Sequence, residues 1–303
     1  MISLTDKIID NVERDYIKRK KPDWLRAKLP GGAGYKAIKQ NMDEHNLHTV
    51  CQSARCPNMG ECWDRGTATI MILGDVCTRS CGFCNVSTGR PLIYDTDEPR
   101  RVADSVALMG LKHIVITSVN RDERLDGGAA IWAETIRRIR QTSPQTSIEV
   151  LIPDFCGNWD ALQLVLDAKP EILGHNIESV KRLYKVVRPQ ADYQQTIELL
   201  KRSKDAGLRT KTGIMVGIGE EDDEIEELMG DVVTGSGCDI LTVGQYLQPT
   251  RNHLPISRWV TPEQFKHYKK VGEMLGFGHV ESGPLVRSSY HAEEQVVAFE
   301  RGG

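Results

Sequence analysis

The sequence predicts an α/β protein whose core is a partial (β/α)6 barrel of the TIM type, flanked by a cysteine-bearing N-terminal extension and a short C-terminal extension. From Ala68 onward, short apolar runs rich in β-forming residues alternate with helix-like stretches, which is typical of βα units around a parallel sheet. The chain has 303 residues, enough to bury the core of one such barrel. Right-handed crossovers would then curl consecutive units into an open barrel.

The apolar runs predict six strands, at 69–73, 113–117, 147–152, 172–176, 210–216 and 240–243. Helices are predicted between and after them, at 129–141, 159–168, 193–206, 222–234 and 262–275, the last with Thr261 as its N-cap. Ahead of the barrel, residues 8–21 read as a charged helix and Pro30-Gly31-Gly32 as a break. We therefore expect an N-terminal extension over 1–66, the barrel over 67–278 and a C-terminal extension over 279–303.

Composition excludes several classes of function. The formal net charge is -3, from 39 basic and 42 acidic side chains, so the chain lacks the basic excess of a nucleic-acid-binding protein. No apolar run approaches the roughly 20 residues that span a bilayer. Four acidic residues within 1–15 interrupt any signal-peptide core, and we expect a cytoplasmic protein.

Cysteine spacing is the most informative feature of the chain. Six of the eight cysteines lie between Cys51 and Cys84, and without an export signal they favour metal or redox chemistry over disulfides. Cys156 and Cys238 stand apart, and we predict each to be a small buried apolar residue.

The second cysteine triplet, Cys77, Cys81 and Cys84, follows directly on the first predicted strand. Three thiolates in one loop can hold three corners of a [4Fe-4S] cluster and leave the fourth iron open to a ligand. Structural zinc is the alternative, but zinc takes four ligands and the loop contains no fourth Cys or His.

The first triplet, Cys51, Cys56 and Cys62, contains Pro57 and Gly60, which argue against a continuous helix. A zinc site completed by His45 or His48 is the alternative to a second cluster.

Ligands of such barrels bind at the C-terminal ends of the strands, so polar residues just past each strand are candidates for the site. Many of them could equally cap helices or form turns. They are Asp75, Ser118, Asn120, Asp154, Asn176, Glu178, Gly217, Glu220 and Gln245. The stretch 213–220 looks like a Gly-rich phosphate loop but lacks the P-loop lysine, so it predicts either close backbone approach to a ligand or packing of a strand end.

The second triplet resembles the signature of the radical S-adenosylmethionine (SAM) superfamily, and further segments resemble the lipoyl synthase family. The segments that carry the resemblance lie at 51–62, 74–79, 117–122, 126–128, 174–178, 211–217 and 287–290. The likeness spans roughly residues 46–292.

The resemblance implies two [4Fe-4S] clusters. Cys77, Cys81 and Cys84 would bind the cluster that cleaves SAM. Cys51, Cys56, Cys62 and Ser289 would bind a sulfur-donating one, with Ser288 as the alternative serine. Asn176, Glu178, Arg188 and Ser118 are the predicted SAM contacts. Arg287 is expected in a lid that holds Ser289.

The implied reaction inserts two sulfur atoms, at C6 and C8 of an octanoyl group on a carrier-protein lysine, and Cys77, Cys81, Cys84 and Ser289 are the predicted catalytic residues. Implied partners are an octanoylated lipoyl-carrier domain or H protein, an electron donor such as ferredoxin or flavodoxin, and a carrier that rebuilds the consumed cluster. Two alternatives stay open. One is another radical sulfur-inserting enzyme, such as biotin synthase or a tRNA methylthiotransferase. The other is a non-catalytic iron–sulfur carrier, for which two four-cysteine sites are expected.

Overall fold

A computed structural model of the chain describes residues 21–27, 31–65, 67–290 and 292. Ten strands lie within these ranges: β1 His48–Thr49, β2 Thr69–Ile72, β3 Val76–Cys77, β4 Ser87–Thr88, β5 His113–Ser118, β6 Ser147–Leu151, β7 Ile172–Gly174, β8 Arg209–Val216, β9 Ile240–Gln245 and β10 His279–Gly283.

Eight of the strands form one sheet in the order β1-β2-β5-β6-β7-β8-β9-β10. All neighbours pair in parallel except β1, which runs antiparallel to β2. Strands β3 and β4 form a separate two-stranded parallel pair. The sheet therefore has the open, consecutive strand order of a partial barrel, which confirms the predicted fold class.

All six predicted strands are present, with ends that differ by one or two residues from the prediction. Strand β10 was not predicted, because its sequence His-Val-Glu-Ser-Gly alternates polar residues with only one buried apolar side chain, Val280. Pairing with β9 decides its structure.

The longer helices each bury one apolar face, and the described chain also contains several helices of four to six residues. Their bounds are Ala33–Glu44, Val50–Ser53, Met59–Asp64, Glu98–Met109, Ala129–Thr142, Trp159–Asp167, Tyr184–Val187, Tyr193–Asp205, Asp222–Ser236 and Pro262–Leu275. The five predicted helices are among them, and Thr261 caps the last one by accepting a hydrogen bond from the Gln264 amide. The predicted helix at 8–21 falls on residues that lie, apart from Lys21, outside the described ranges.

Strands from all three predicted parts of the chain enter the main sheet, since β1 precedes residue 66 and β10 follows residue 278. The three-part division stays a prediction. In the described part of the chain, no helix is both long and apolar enough to cross a membrane.

Candidate active site

The three cysteines of the first triplet line one cavity together with Ser289. Cys51 is buried, Cys56 and Cys62 are half-buried, and the cavity is closed by residues from both ends of the described chain. Its other lining residues are Asn58, Met59, Thr67, Thr69, Arg287 and Tyr290. Three thiols and a hydroxyl thus converge on one space, which is a donor set that fits an iron–sulfur cluster.

Local sequence explains how the first triplet folds. Thr49 caps the short helix Val50–Ser53, accepting a hydrogen bond from the Gln52 amide. A second short helix, Met59–Asp64, begins after Pro57, so the triplet spans two helices rather than a continuous one, as predicted. The Asn58 side chain donates a 2.6 Å hydrogen bond to the Leu285 carbonyl, and this bond ties the triplet to the C-terminal segment.

The two consecutive serines point to different places. Ser289 Oγ lines the cavity and accepts a 2.8 Å hydrogen bond from Thr69 Oγ1. Ser288 Oγ instead accepts a 2.7 Å hydrogen bond from Asn176 Nδ2, outside the cavity lining. Of the two serines, the geometry therefore supports Ser289 as the fourth donor.

The structure gives no support to a zinc site at the first triplet. Neither His45 nor His48 lines the cavity, and the His45 ring is engaged with the Asn41 carbonyl at 3.0 Å. Across the described ranges, no three His, Cys, Asp or Glu side chains are grouped closely enough to bind one metal ion. A [4Fe-4S] cluster binds its cysteines through separate irons, so its ligands stand farther apart than those of a single ion.

Arg287 belongs to the wall of the same cavity. Burial lowers the pKa of its guanidinium, and the neighbouring Cys56 acts in the opposite direction. Gly244 on β9 makes room for this segment, because a Cβ at Gly244 would stand 2.1 Å from the Val286 carbonyl oxygen. The expected placement of Arg287 beside Ser289 is thus a consequence of a close backbone approach.

The second triplet begins at Cys77, the last residue of β3, and continues into the loop between β3 and β4, beyond the C-terminal end of β2. Backbone hydrogen bonds hold its centre on two sides, from Gly82 N to the Val187 carbonyl at 3.0 Å and from Leu254 N to the Gly82 carbonyl at 2.9 Å. Cys77 Sγ accepts from the Asn120 amide at 3.3 Å. Amide donors to a thiolate stabilise its negative charge and persist when it binds iron.

Burial disfavours the thiolate form of the other two cysteines of this loop. Burial raises the pKa of Cys81 to about 11 and that of Cys84 to about 12. Arg188 partly opposes the rise at Cys81. Binding of iron must therefore release protons here.

Arg79 lies within the second triplet and forms ion pairs with two carboxylates. These ion pairs were not predicted from the sequence. Its guanidinium donates to Asp154 at 2.8 and 2.5 Å and to Asp122 at 2.7 and 3.1 Å. Burial alone would raise the pKa of Asp154, but its hydrogen bonds with Arg79 outweigh burial and lower that pKa to about 2. The ion pairs fix the triplet loop to the ends of β5 and β6.

Three of the four predicted SAM contacts lie together. Asn176 Nδ2 donates to Glu178 Oε1 at 2.9 Å, and Arg188 Nη1 donates to the Asn176 carbonyl at 2.7 Å. The pKa of Glu178 is raised above its ordinary value because the carboxyl is buried, although the nearby charge of Arg188 opposes the rise. Asn176 Oδ1 is buried without a hydrogen-bond partner, so an acceptor for a ligand donor is available. Ser118 lies apart from this group and donates to the Val119 carbonyl.

The glycine-rich stretch after β8 binds its own carboxylate. Glu220 accepts hydrogen bonds from the amides of Gly217 at 2.6 Å, Ile218 at 2.9 Å and Gly219 at 3.1 Å. These amides are the groups that would cradle a phosphate. Because Glu220 occupies them, the packing interpretation of this loop is the better supported one.

One prediction about the isolated cysteines is wrong. Cys238 is buried as expected, but Cys156 is exposed. It lies in a turn after β6 with a left-handed backbone, φ 53°, and its Sγ accepts a 3.2 Å hydrogen bond from Arg79 Nη2. A turn at the sheet edge keeps this thiol out of the apolar core.

Comparison with known proteins agrees with this geometry. Residues 71–232 match the Radical SAM superfamily, and residues 3–56 match the N-terminal domain of lipoyl synthase. The chain is 58% identical over 284 residues to lipoyl synthase of Rubrobacter xylanophilus, covering 93% of this chain and 88% of the relative. It is 53% identical over 277 residues to the mitochondrial lipoyl synthase of Nematostella vectensis, covering 91% and 95%.

Solved structures support the fold alone. Methylornithine synthase superposes with a TM-score of 0.53 at 14% identity, over 94% of this chain and 87% of the other. The FeFe-hydrogenase maturase HydG of Carboxydothermus hydrogenoformans gives 0.53 at 14% identity, over 99% and 84%. From the sequence relatives and the family matches, the chain belongs to the lipoyl synthase family of the radical SAM superfamily.

Proposed function

We propose that this chain inserts two sulfur atoms, at C6 and C8 of an octanoyl group held on a carrier-protein lysine. The observation that carries the proposal is the convergence of Cys51, Cys56, Cys62 and Ser289 on one cavity, next to a second triplet. Asn85, directly after Cys84, donates a 2.7 Å hydrogen bond to the Ser53 carbonyl, so the segments that carry the two triplets are in contact. Sulfur transfer to a carbon radical needs such proximity.

Family membership implies SAM and iron–sulfur chemistry, and we assign two [4Fe-4S] clusters. Cys77, Cys81 and Cys84 hold one cluster, and Cys51, Cys56, Cys62 and Ser289 hold the other. When bound, the first cluster would supply the electron that cleaves SAM to methionine and a 5'-deoxyadenosyl radical, which abstracts hydrogen from carbon, and the second would supply sulfur. An alkyl C–H is far too weak an acid for the side chains of this chain to deprotonate.

The protein's own contribution is orientation. Asn176, Glu178 and Arg188 form the polar group that binds SAM, with Arg188 suited to its carboxylate and Glu178 to ribose hydroxyls. Ser118, at the end of β5, is kept as a further proposed SAM contact. The Arg79 ion pairs keep the triplet loop in place, and Arg287 closes the cavity wall beside Ser289.

We assign an octanoylated lipoyl-carrier domain or H protein as the substrate. A low-potential donor such as ferredoxin or flavodoxin would reduce the enzyme, and a cluster carrier would rebuild the consumed centre. Free thiols at all eight cysteines suit a reducing compartment, and we place the protein in the cytoplasm. We keep the division into an extension over 1–66, a barrel over 67–278 and an extension over 279–303.

The test is the mass of the product. Anaerobically reconstituted protein, SAM and a reductant are incubated with an octanoyl-lysine peptide, and a gain of two sulfur atoms is expected. Formation of 5'-deoxyadenosine without sulfur gain would favour another radical sulfur-inserting enzyme. No 5'-deoxyadenosine at all would leave the non-catalytic iron–sulfur carrier.

A further inference from the structure

Ser288 and Ser289 are neighbours in sequence, yet each binds a residue of a different site. Ser289 accepts a 2.8 Å hydrogen bond from Thr69 at the three-cysteine cavity. Ser288 accepts a 2.7 Å hydrogen bond from Asn176, in the polar group assigned to SAM. The contact with the polar group assigned to SAM and the contact with the three-cysteine cavity are therefore made by adjacent residues.

The Asn176 side chain has little freedom to move away from Ser288. Its amide nitrogen donates both to Ser288 and to Glu178, so both of its hydrogens are used. Gly213 packs closely against the Asn176 side chain, because a Cβ added at Gly213 would stand 3.0 Å from Asn176 Oδ1. A ligand that donates a hydrogen bond to Asn176 Oδ1 thus polarises an amide already hydrogen-bonded to Ser288.

The segment that carries both serines is compact. Tyr290 N donates a 2.9 Å hydrogen bond to the Arg287 carbonyl, which closes a turn around the serine pair. At its start, the close approach of Val286 to Gly244 fixes the segment against β9. Holding Ser288 in such a turn also holds Ser289.

We propose that Ser288 is a positioning residue that couples SAM binding to the retention of Ser289 at the three-cysteine cluster. The proposal rests on the proposed function, because it takes Asn176 and Glu178 as SAM contacts. Hydrogen bonds in a chain polarise and strengthen one another, so ligand contact at Asn176 strengthens its bond to Ser288. By linkage, Ser289 at the cluster then raises SAM affinity by the same factor.

The test is a double-mutant cycle on SAM affinity. Wild type, Ser288→Ala, Ser289→Ala and the double variant are loaded anaerobically, and the SAM dissociation constant of each is measured by equilibrium dialysis without reductant. One hydrogen bond of typical strength predicts that Ser289→Ala weakens SAM binding roughly fivefold. In the Ser288→Ala background the same substitution is expected to have no effect.

Two controls keep the readout specific. Ser288→Thr retains the hydroxyl and is expected to restore the coupling. Ser282→Ala removes a hydroxyl that donates to the Phe265 carbonyl and contacts neither site, and it is expected to leave SAM affinity unchanged.

Equal effects of Ser289→Ala in both backgrounds would overturn the proposal, as would no effect in either. Iron content and 5'-deoxyadenosine formation are measured on the same wild-type samples. If the wild type binds no iron or forms no 5'-deoxyadenosine, the proposed function fails. If it does both while the mutant cycle shows no coupling, only the role of Ser288 is refuted.

Discussion

Thr69 Oγ1 lies 2.8 Å from Ser289 Oγ, and this hydrogen bond joins the first barrel strand to the C-terminal segment at the wall of the three-cysteine cavity. The donor orients the serine oxygen toward the cavity. Hydrogen-bonded neighbours of metal ligands commonly set ligand orientation and metal affinity.

Thr69→Val keeps the shape of the side chain and removes the donor. One lost hydrogen bond costs about 1 kcal/mol, so iron should leave the three-cysteine site to a chelator roughly fivefold faster. Thr69→Ser, which keeps the hydroxyl, is the matched control. Iron loss at the wild-type rate in Thr69→Val would show that the hydrogen bond does not position Ser289.

Ser289→Ala removes the fourth donor of the cavity but leaves the second triplet intact. At saturating SAM we expect 5'-deoxyadenosine to form while sulfur insertion into an octanoyl-lysine peptide is lost. Chromatography of the nucleoside and mass spectrometry of the peptide measure the two activities in one reaction. The reverse pattern would refute the ligand assignment.

Asp154→Asn breaks a buried ion pair, since the side chains of Arg79 and Asp154 are 3% and 1% exposed. Loss of one partner of a buried pair costs about 3 kcal/mol, and we expect the triplet loop to lose its cluster. Iron per chain should fall by about half, with no 5'-deoxyadenosine formed.

Asp122→Asn is the matched control for this change, because the Asp122 side chain is 28% exposed and its charge is better screened. We expect it to keep most of the iron. Equal iron loss in both variants would mean that burial of the Asp154 pair does not govern the loop.

Gly244→Ala places a Cβ 2.1 Å from the Val286 carbonyl oxygen, so the Arg287–Tyr290 turn must move away from β9. Sulfur insertion should fall at least tenfold, because displacement of a reacting group by about 1 Å is costly. Gly230→Ala is the control: its Cβ meets nothing within 4 Å, and Ala should stabilise its helix. Full activity in Gly244→Ala would contradict the close-packing argument.

His175 predicts a pH dependence of stability. Burial lowers the pKa of this histidine to about 4, and its ring hydrogen-bonds the Ile152 carbonyl at 2.8 Å. The unfolded chain, with an ordinary histidine pKa near 6.5, binds a proton that the folded protein excludes. Stability contributed by the neutral ring is therefore present above about pH 6.5 and lost as the pH falls toward 4.

We expect this one group to cost about 2 kcal/mol of stability by pH 5. The variant His175→Gln should show a smaller fall in Tm than wild type between pH 7 and pH 5, measured by circular dichroism. An identical fall in both proteins would show that His175 does not control the acid response.

The sequence by itself determined the six strands, the five helices that follow their apolar periodicity, and the two cysteine triplets. These features are local: alternation, capping at Thr261 and cysteine spacing each depend on residues close in the chain. It did not predict β10, whose polar pattern becomes a strand only through pairing with β9. Cys156 was also predicted from the sequence to be buried. In the structure this cysteine is exposed, because it lies in a turn with a left-handed backbone.

Only the tertiary structure decided which residues meet. Arg79 reaches Asp122 and Asp154 because parallel strands bring the loops after β2, β5 and β6 to one edge of the sheet. Ser289, which the family resemblance assigned to the first triplet, lines the three-cysteine cavity because the segment after β10 contacts Thr69 at the start of β2. The number of residues between two positions in the chain does not indicate whether their side chains are in contact. Ser288 and Ser289 are identical in type and adjacent in sequence, but in the fold they have different hydrogen-bond partners, Asn176 and Thr69.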